Sequence, residues 1–354
     1  MQILIKKSTA TFLLLSAANL IVAFVAFFIL PPKFFYDSAI IIYDKLGEAG
    51  YIGSYPLTIL FYKITGLKYL PFPLIGILQF SILMYILYKI GIPDNFEKIN
   101  IKNILVYLGI FLMAVFISMP SKEFITFLCV TPIIFIYRIK QYSAQKKITL
   151  SIFLLFVFGV LYRPYFALIP IIAGVMYLVS FIDFKNKTIM VIFYGLLITI
   201  FLSLSYGIVK GEYFSELSRE LVNTTRNNPS DANSAIIPPI KPDTWYGEII
   251  AIFYGFFTVN IPVNGLKHIF SPQILIFIIW ELFLFYILLI RLSKCLKERE
   301  KYKYELFVLL ILFSFFIIQG VFEPDLGSVV KHKIGIFPLI YFALYHEHFR
   351  KEFQ

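Results

Sequence analysis

The sequence predicts an all-α polytopic membrane helix bundle of about ten transmembrane helices with one long extracytoplasmic loop, and three observations carry that reading. Of 354 residues, 59% are hydrophobic and only 15% are charged. The mean hydropathy is +0.82. The apolar residues gather in runs of about 14 to 22, close to the roughly 20 that one bilayer crossing needs. Such a composition excludes an ordinary soluble enzyme, and continuous runs exclude a transmembrane β-barrel, whose strands would alternate polar and apolar residues. The two cysteines, Cys129 in an apolar run and Cys295 in a Lys/Arg-rich segment, supply neither a disulfide framework nor a metal cluster.

The first apolar run follows Lys6-Lys7 and continues to Leu30, so the basic start and the cleavage-like Ser16-Ala17-Ala18 read as an uncleaved first helix, 9–30. Further spans are predicted at 69–88, 104–119, 124–137, 148–162, 166–182, 188–209, 273–290, 306–322 and 329–345. Two shorter apolar stretches, 55–64 and 249–263, read as interfacial or re-entrant. The chain 1–354 is thus read as a single polytopic membrane domain, with 210–272 as its long extracytoplasmic loop.

With the N-terminus in the cytoplasm, helix parity places the N-terminus, 89–103, 138–147, 183–187, 291–305 and the C-terminus inside. These segments hold 19 of the 32 Lys and Arg. The bias accounts for much of the net charge of +11 without a nucleic-acid partner. The other side collects the chemistry. Ser121, Lys122 and Glu123 join two short spans, where charge is expensive to hold. They are either an exposed turn with a local Lys-Glu pair or a site in which Lys122 binds an anion and Glu123 orients a nucleophile. Arg163, in Leu161-Tyr162-Arg163-Pro164-Tyr165, has no acidic neighbour in sequence, and its planar fork suits phosphate oxygens.

The last outer turn, Phe322 to Lys333, combines Glu323 and Asp325 with Lys331, His332 and Lys333. Like-charge repulsion between the lysines favours a neutral His332. In the first outer loop Asp37 stands beside Phe34, Phe35 and Tyr36, a candidate base or sugar ligand. In the long loop Arg219 and Arg226 precede Asp231-Ala232-Asn233-Ser234 and read as a mobile lid over a polyanion. Glu281, beside Trp280, reads as partner to a cavity cation. No dinucleotide, P-loop, zinc-protease, CxxC or esterase signature is present, so no cofactor and no metal are indicated.

Taken together, Pro-Ser-Lys-Glu at 120–123, Tyr-Arg-Pro-Tyr at 162–165, the long loop with Arg226 and Asn233-Ser234, Ile-Pro-Val at 261–263 before Trp280-Glu281, and Glu-Pro-Asp-Leu-Gly-Ser followed by Lys-His-Lys resemble the Wzy-type polymerases of O-antigen and capsular polysaccharide pathways. The resemblance covers nearly the whole chain in layout, through short motifs. It implies a multi-pass protein of the bacterial inner membrane with its active site facing the periplasm or exterior. It also implies glycosyl transfer from an undecaprenyl-pyrophosphate-linked oligosaccharide to the non-reducing end of another lipid-linked unit, and a chain-length regulator protein as partner. Lys122, Arg163, Arg226, Lys331 and His332 would then hold the diphosphate, and Asp37, Glu123 or Glu323 would serve as base. The sequence departs from the family picture in its modest length and in carrying Lys331 and Lys333 where an Arg-rich pair is expected. Two alternatives stay open: a glycosyltransferase using polyprenyl-phosphate sugars, for which Asp37 and Asp44 form a loose acidic pair, and a lipid-linked oligosaccharide flippase.

Overall fold

A computed structural model describes residues 5–45, 49–225, 234–268 and 270–353. Among these the protein is helical throughout, with an isolated β-bridge between Ala235 and Asp325. In chain order the helices are α1 (Lys7–Ile29), α2 (Tyr36–Ile42), α3 (Ser54–Ile64), α4 (Phe72–Ile90), α5 (Ile101–Phe116), α6 (Lys122–Arg138), α7 (Ala144–Leu161), α8 (Leu168–Val179), α9 (Lys187–Lys210), α10 (Leu221–Thr225), α11 (Trp245–Asn260), α12 (Pro272–Lys297), α13 (Lys303–Phe322), α14 (Leu326–Gly335) and α15 (Phe337–Phe353). Six of the described helices are long and apolar enough to cross a membrane: α1, α4, α7, α9, α12 and α13.

Several starts are fixed by side-chain caps that satisfy first-turn N–H groups. Asn100, Ser121, Ser143, Asn186 and Thr244 each accept a hydrogen bond from the backbone N–H three residues on, opening α5, α6, α7, α9 and α11. Residues 245–260, within the stretch expected to be loop with a re-entrant segment, form one continuous helix.

The last predicted span, 329–345, is corrected by the structure: the chain breaks at Ile336 into α14 and α15. Pro338 is the reason. Its missing N–H and its ring are accommodated in the first turn of a helix but not inside one, so α15 starts just ahead of it. Lys331 and His332 consequently sit on their own short helix.

The chain divides into two compact units, Met1–Pro164 with Lys331–Gln354, and Tyr165–Val330. In the first, α1 packs along α4 and α5, α15 along α6, and α6 along α7. Many side chains of α1 remain outward and apolar, among them Leu14, Ile21 and Phe28, as a lipid-facing surface requires. Between α1 and α4 the short helices α2 and α3 pair through Ile41, Ile42 and Tyr62 against Ile75.

In the second unit α13 is surrounded. It packs against α8, α9, α11 and α12 and is buried along nearly its whole length, as a helix apolar on every face must be. Its closest neighbour is α11, and glycine makes that approach. A Cβ on Gly255 would stand 1.8 Å from the Gly320 carbonyl oxygen. Gly255→Ala is therefore expected to destabilise the protein by about 2–3 kcal/mol through forced separation of the helices. Gly174→Ala, on α8 where a Cβ would meet nothing within 4 Å, is expected to be neutral or stabilising by up to about 1 kcal/mol. Thermal unfolding of the two variants in detergent, side by side, checks both.

Candidate functional site

The turn that precedes α6 is fastened from several sides before any charge is considered. The Ser38 hydroxyl donates to the Pro120 carbonyl at 2.8 Å. The Ser121 N–H donates to the Tyr62 hydroxyl at 3.2 Å. The Gln79 amide nitrogen donates to the carbonyls of Ser118 and Met119 at 2.6 and 3.0 Å while its oxygen accepts from Tyr62. The Tyr162 hydroxyl donates to the Lys122 carbonyl at 3.0 Å and is hydrogen-bonded to Thr58 at 2.6 Å. Tyr55, Thr58 and Tyr62 follow one another at spacings of three and four on α3, which puts three hydroxyl-bearing side chains on one face of a largely apolar helix.

Held by this scaffold, Glu123 is 0% exposed. Its Oε1 accepts from Arg163 Nη2 at 2.6 Å and lies 3.0 Å from His332 Nε2. Its Oε2 lies 3.6 Å from the Lys331 ammonium. Lys331 also donates to Asp37 Oδ2 at 2.5 Å, and Asp37 Oδ1 accepts from the Tyr55 hydroxyl at 2.6 Å. The Lys122 ammonium stands over the Tyr55 ring, 3.8 Å from its centroid, and among the described residues no carboxylate lies within ion-pair distance of it.

The arrangement is electrostatically lopsided. Among the described residues, three basic side chains, Lys122, Arg163 and Lys331, stand with two carboxylates, Asp37 and Glu123, a formal balance of +1 with Lys122 protonated and His332 neutral, and burial draws the Lys122 ammonium below its ordinary range. Burial alone would raise the Asp37 carboxyl above its usual range. The Lys331 charge, and then that of Lys122, more than offset it and hold the group well below that range. Asp37 is therefore an anion at neutral pH.

Six of the residues singled out from sequence are thus brought together: Asp37, Lys122, Glu123, Arg163, Lys331 and His332. The local Lys122-Glu123 pair is not formed: the Lys122 ammonium stands over the Tyr55 ring, and Glu123 turns instead to Arg163. Glu323 belongs to the second unit, buried at the end of α13. Arg226, with Asp231 and Asn233, lies outside the described residues. Arg219 is a correction. It is 0% exposed, and its guanidinium donates to the carbonyls of Gly320 at 2.8 Å and Ala251 at 3.1 Å. It staples its segment to α11 and α13, since a single π-turn at Glu216–Glu220 aims it inward. Glu281 is buried on α12 and lines a mostly apolar cavity with Val259, Ile278 and Val330. Sequence reasoning passed over Tyr55, Thr58, Tyr62 and Gln79. The hydroxyl stripe at helical spacing in 55–62 was the available signal.

Comparison with protein-family models, with curated proteins and with solved structures found no match.

Removing one partner of a buried ion pair leaves the other uncompensated at a cost of about 3–5 kcal/mol. Lys331 and His332 stay near Glu123, so Arg163→Ala is expected to cost about 3 kcal/mol, the low end of that range. The double variant Arg163→Ala/Glu123→Gln should recover part of the loss. A thermal-unfolding double-mutant cycle measures the coupling.

Proposed function

We propose that this cluster binds the diphosphate of a lipid-linked glycan, and that the protein polymerises oligosaccharide repeat units on the extracytoplasmic side of a bacterial cytoplasmic membrane, as Wzy-type polymerases do. One observation carries the reading. Residues from four separated parts of the chain converge on one buried carboxylate and leave a cationic excess beside membrane-crossing helices. An isolated excess charge in such a setting is costly, and a bound polyanion offsets it. Amino and guanidinium groups around a pyrophosphate also stabilise the charge that grows on it as a leaving group.

The chemistry balances with the residues present. The acceptor hydroxyl gives its proton to Asp37, its oxygen forms a bond to the anomeric carbon of the growing glycan, and the bond from that carbon to the diphosphate oxygen breaks. Undecaprenyl pyrophosphate leaves, stabilised by Lys122, Lys331, Arg163 and His332. Asp37 suits the base better than Glu123, because Asp37 is half-buried and an acceptor can reach it, whereas Glu123 is enclosed by its partners. The polyprenyl-phosphate alternative needs an acidic pair in the first outer loop, whereas Asp44 pairs with Lys68 and Asp37 with Lys331, on separate cations.

Lys122 gives the cleanest test, since its removal leaves no buried carboxylate without its ion-pair partner. In a host that makes the lipid-linked units, Lys122→Ala is expected to lower elongation about 10²-fold or more, by analogy with loss of one charge-stabilising donor. Protein level and single-unit-capped lipid should be unchanged. Glycan chains of normal length at normal abundance in that variant would overturn the proposal, and failure of single units to reach the outer face would point to a flippase.

A further inference from the structure

Tyr55 has no assigned part in the reaction above, yet it touches two of the groups that do. Its hydroxyl donates to Asp37 Oδ1 at 2.6 Å, and its ring lies under the Lys122 ammonium at 3.8 Å. Its place is set by α3, which is anchored on the same face through Thr58 to Tyr162 and through Tyr62 to Ser121. The ring is therefore held by a packed and hydrogen-bonded helix rather than by a free loop.

The cations of the cluster are not equivalent. Arg163 and Lys331 are each committed to a carboxylate, so drawing either toward an incoming phosphate leaves an acid behind with one partner fewer. Among the described residues, Lys122 is committed to an aromatic face and to no carboxylate, and that face attracts a cation without accepting a conventional hydrogen bond from it. Its three N–H donors can turn to an anion at no such loss. Asp37, for its part, uses one oxygen for Lys331 and the other for Tyr55. A carboxylate has about four lone-pair sites, so both oxygens keep acceptor capacity for a substrate hydroxyl.

We propose that Tyr55 is a positioning residue that sets the general base and the first phosphate-binding cation in fixed relation to each other, acting on Asp37 through its hydroxyl and on Lys122 through its ring. This rests on the reading of Asp37 as base and Lys122 as diphosphate ligand. The two functions of the side chain are separable by substitution. Tyr55→Phe keeps the ring and removes the donor, while Tyr55→Leu removes both.

The assay uses the full-length protein in nanodiscs with the undecaprenyl-pyrophosphate-linked repeat unit extracted from a polymerase-deficient strain. Tyr55→Phe is expected to lower kcat about tenfold with the donor KM unchanged, as loosened orientation of a base does. Tyr55→Leu is expected to raise the donor KM about tenfold as well, because the cation loses its platform. A purely structural role would scale kcat with the folded fraction and leave KM alike in the two variants, and either that pattern or a wild-type kcat in Tyr55→Phe overturns the proposal. Asp37→Asn separates the two levels. If it retains elongation, the base assignment itself falls. If it is inactive while both Tyr55 variants behave as wild type, the positioning role alone falls.

Discussion

The first unit is organised around a charge that water does not reach. Glu123 is fully enclosed, and an enclosed carboxylate is tolerated only when cations and donors replace its lost hydration. That requirement dictates the surroundings. Arg163 arrives from beyond α7, His332 and Lys331 from α14, and Asp37 follows through its bond to Lys331. Glu123 also sits in the first turn of α6, behind the Ser121 cap, where the helix end favours negative charge. Four segments far apart in sequence are thus tied to one oxygen pair.

The break between α14 and α15 follows from the same demand. A continuous helix through 329–345 would have satisfied hydropathy, but Pro338 disfavours it, and the local cost of ending one helix and starting another is modest. What the break allows is a short, independently oriented α14 whose Lys331 and His332 both face Glu123. Hydropathy averaged over a window registers neither the proline's geometry nor the pull of a carboxylate more than 200 residues away in sequence.

How much was legible beforehand can be argued residue by residue. The spans near α1, α4, α7, α9, α12 and α13 followed from long apolar runs, and their polar boundaries mark real caps such as Asn186 and Ser143. Helix parity led to the expectation that Asp37, Lys122, Arg163 and Lys331 share one face, and the structure brings their side chains together in one cluster. Which acid meets which cation was not legible, since adjacency in sequence suggested Lys122 with Glu123 while the fold gives Glu123 to Arg163 and sets Lys122 over Tyr55. Arg219 looked like a lid because its sequence neighbours are polar, and only the fold shows the two carbonyls that claim it. The α3 stripe was visible as a spacing, but hydroxyls in an apolar run are inexpensive enough to pass as ordinary membrane composition.

If the cluster holds a diphosphate as proposed, the distribution of its partners orders what that anion does there. A phosphate meeting Lys122 would displace an aromatic contact and leave the ion pairs among the described residues intact. A phosphate that next draws on Lys331 competes with Asp37, and each increment of that competition frees the Asp37 carboxylate from the cation that keeps it a weak base. Under the proposed function, binding of the leaving group and release of the base would then be two faces of one exchange of ion-pair partners. Arg163, held at 2.6 Å on Glu123 in the enclosed part of the site, stays behind as the fixed charge against which that exchange takes place.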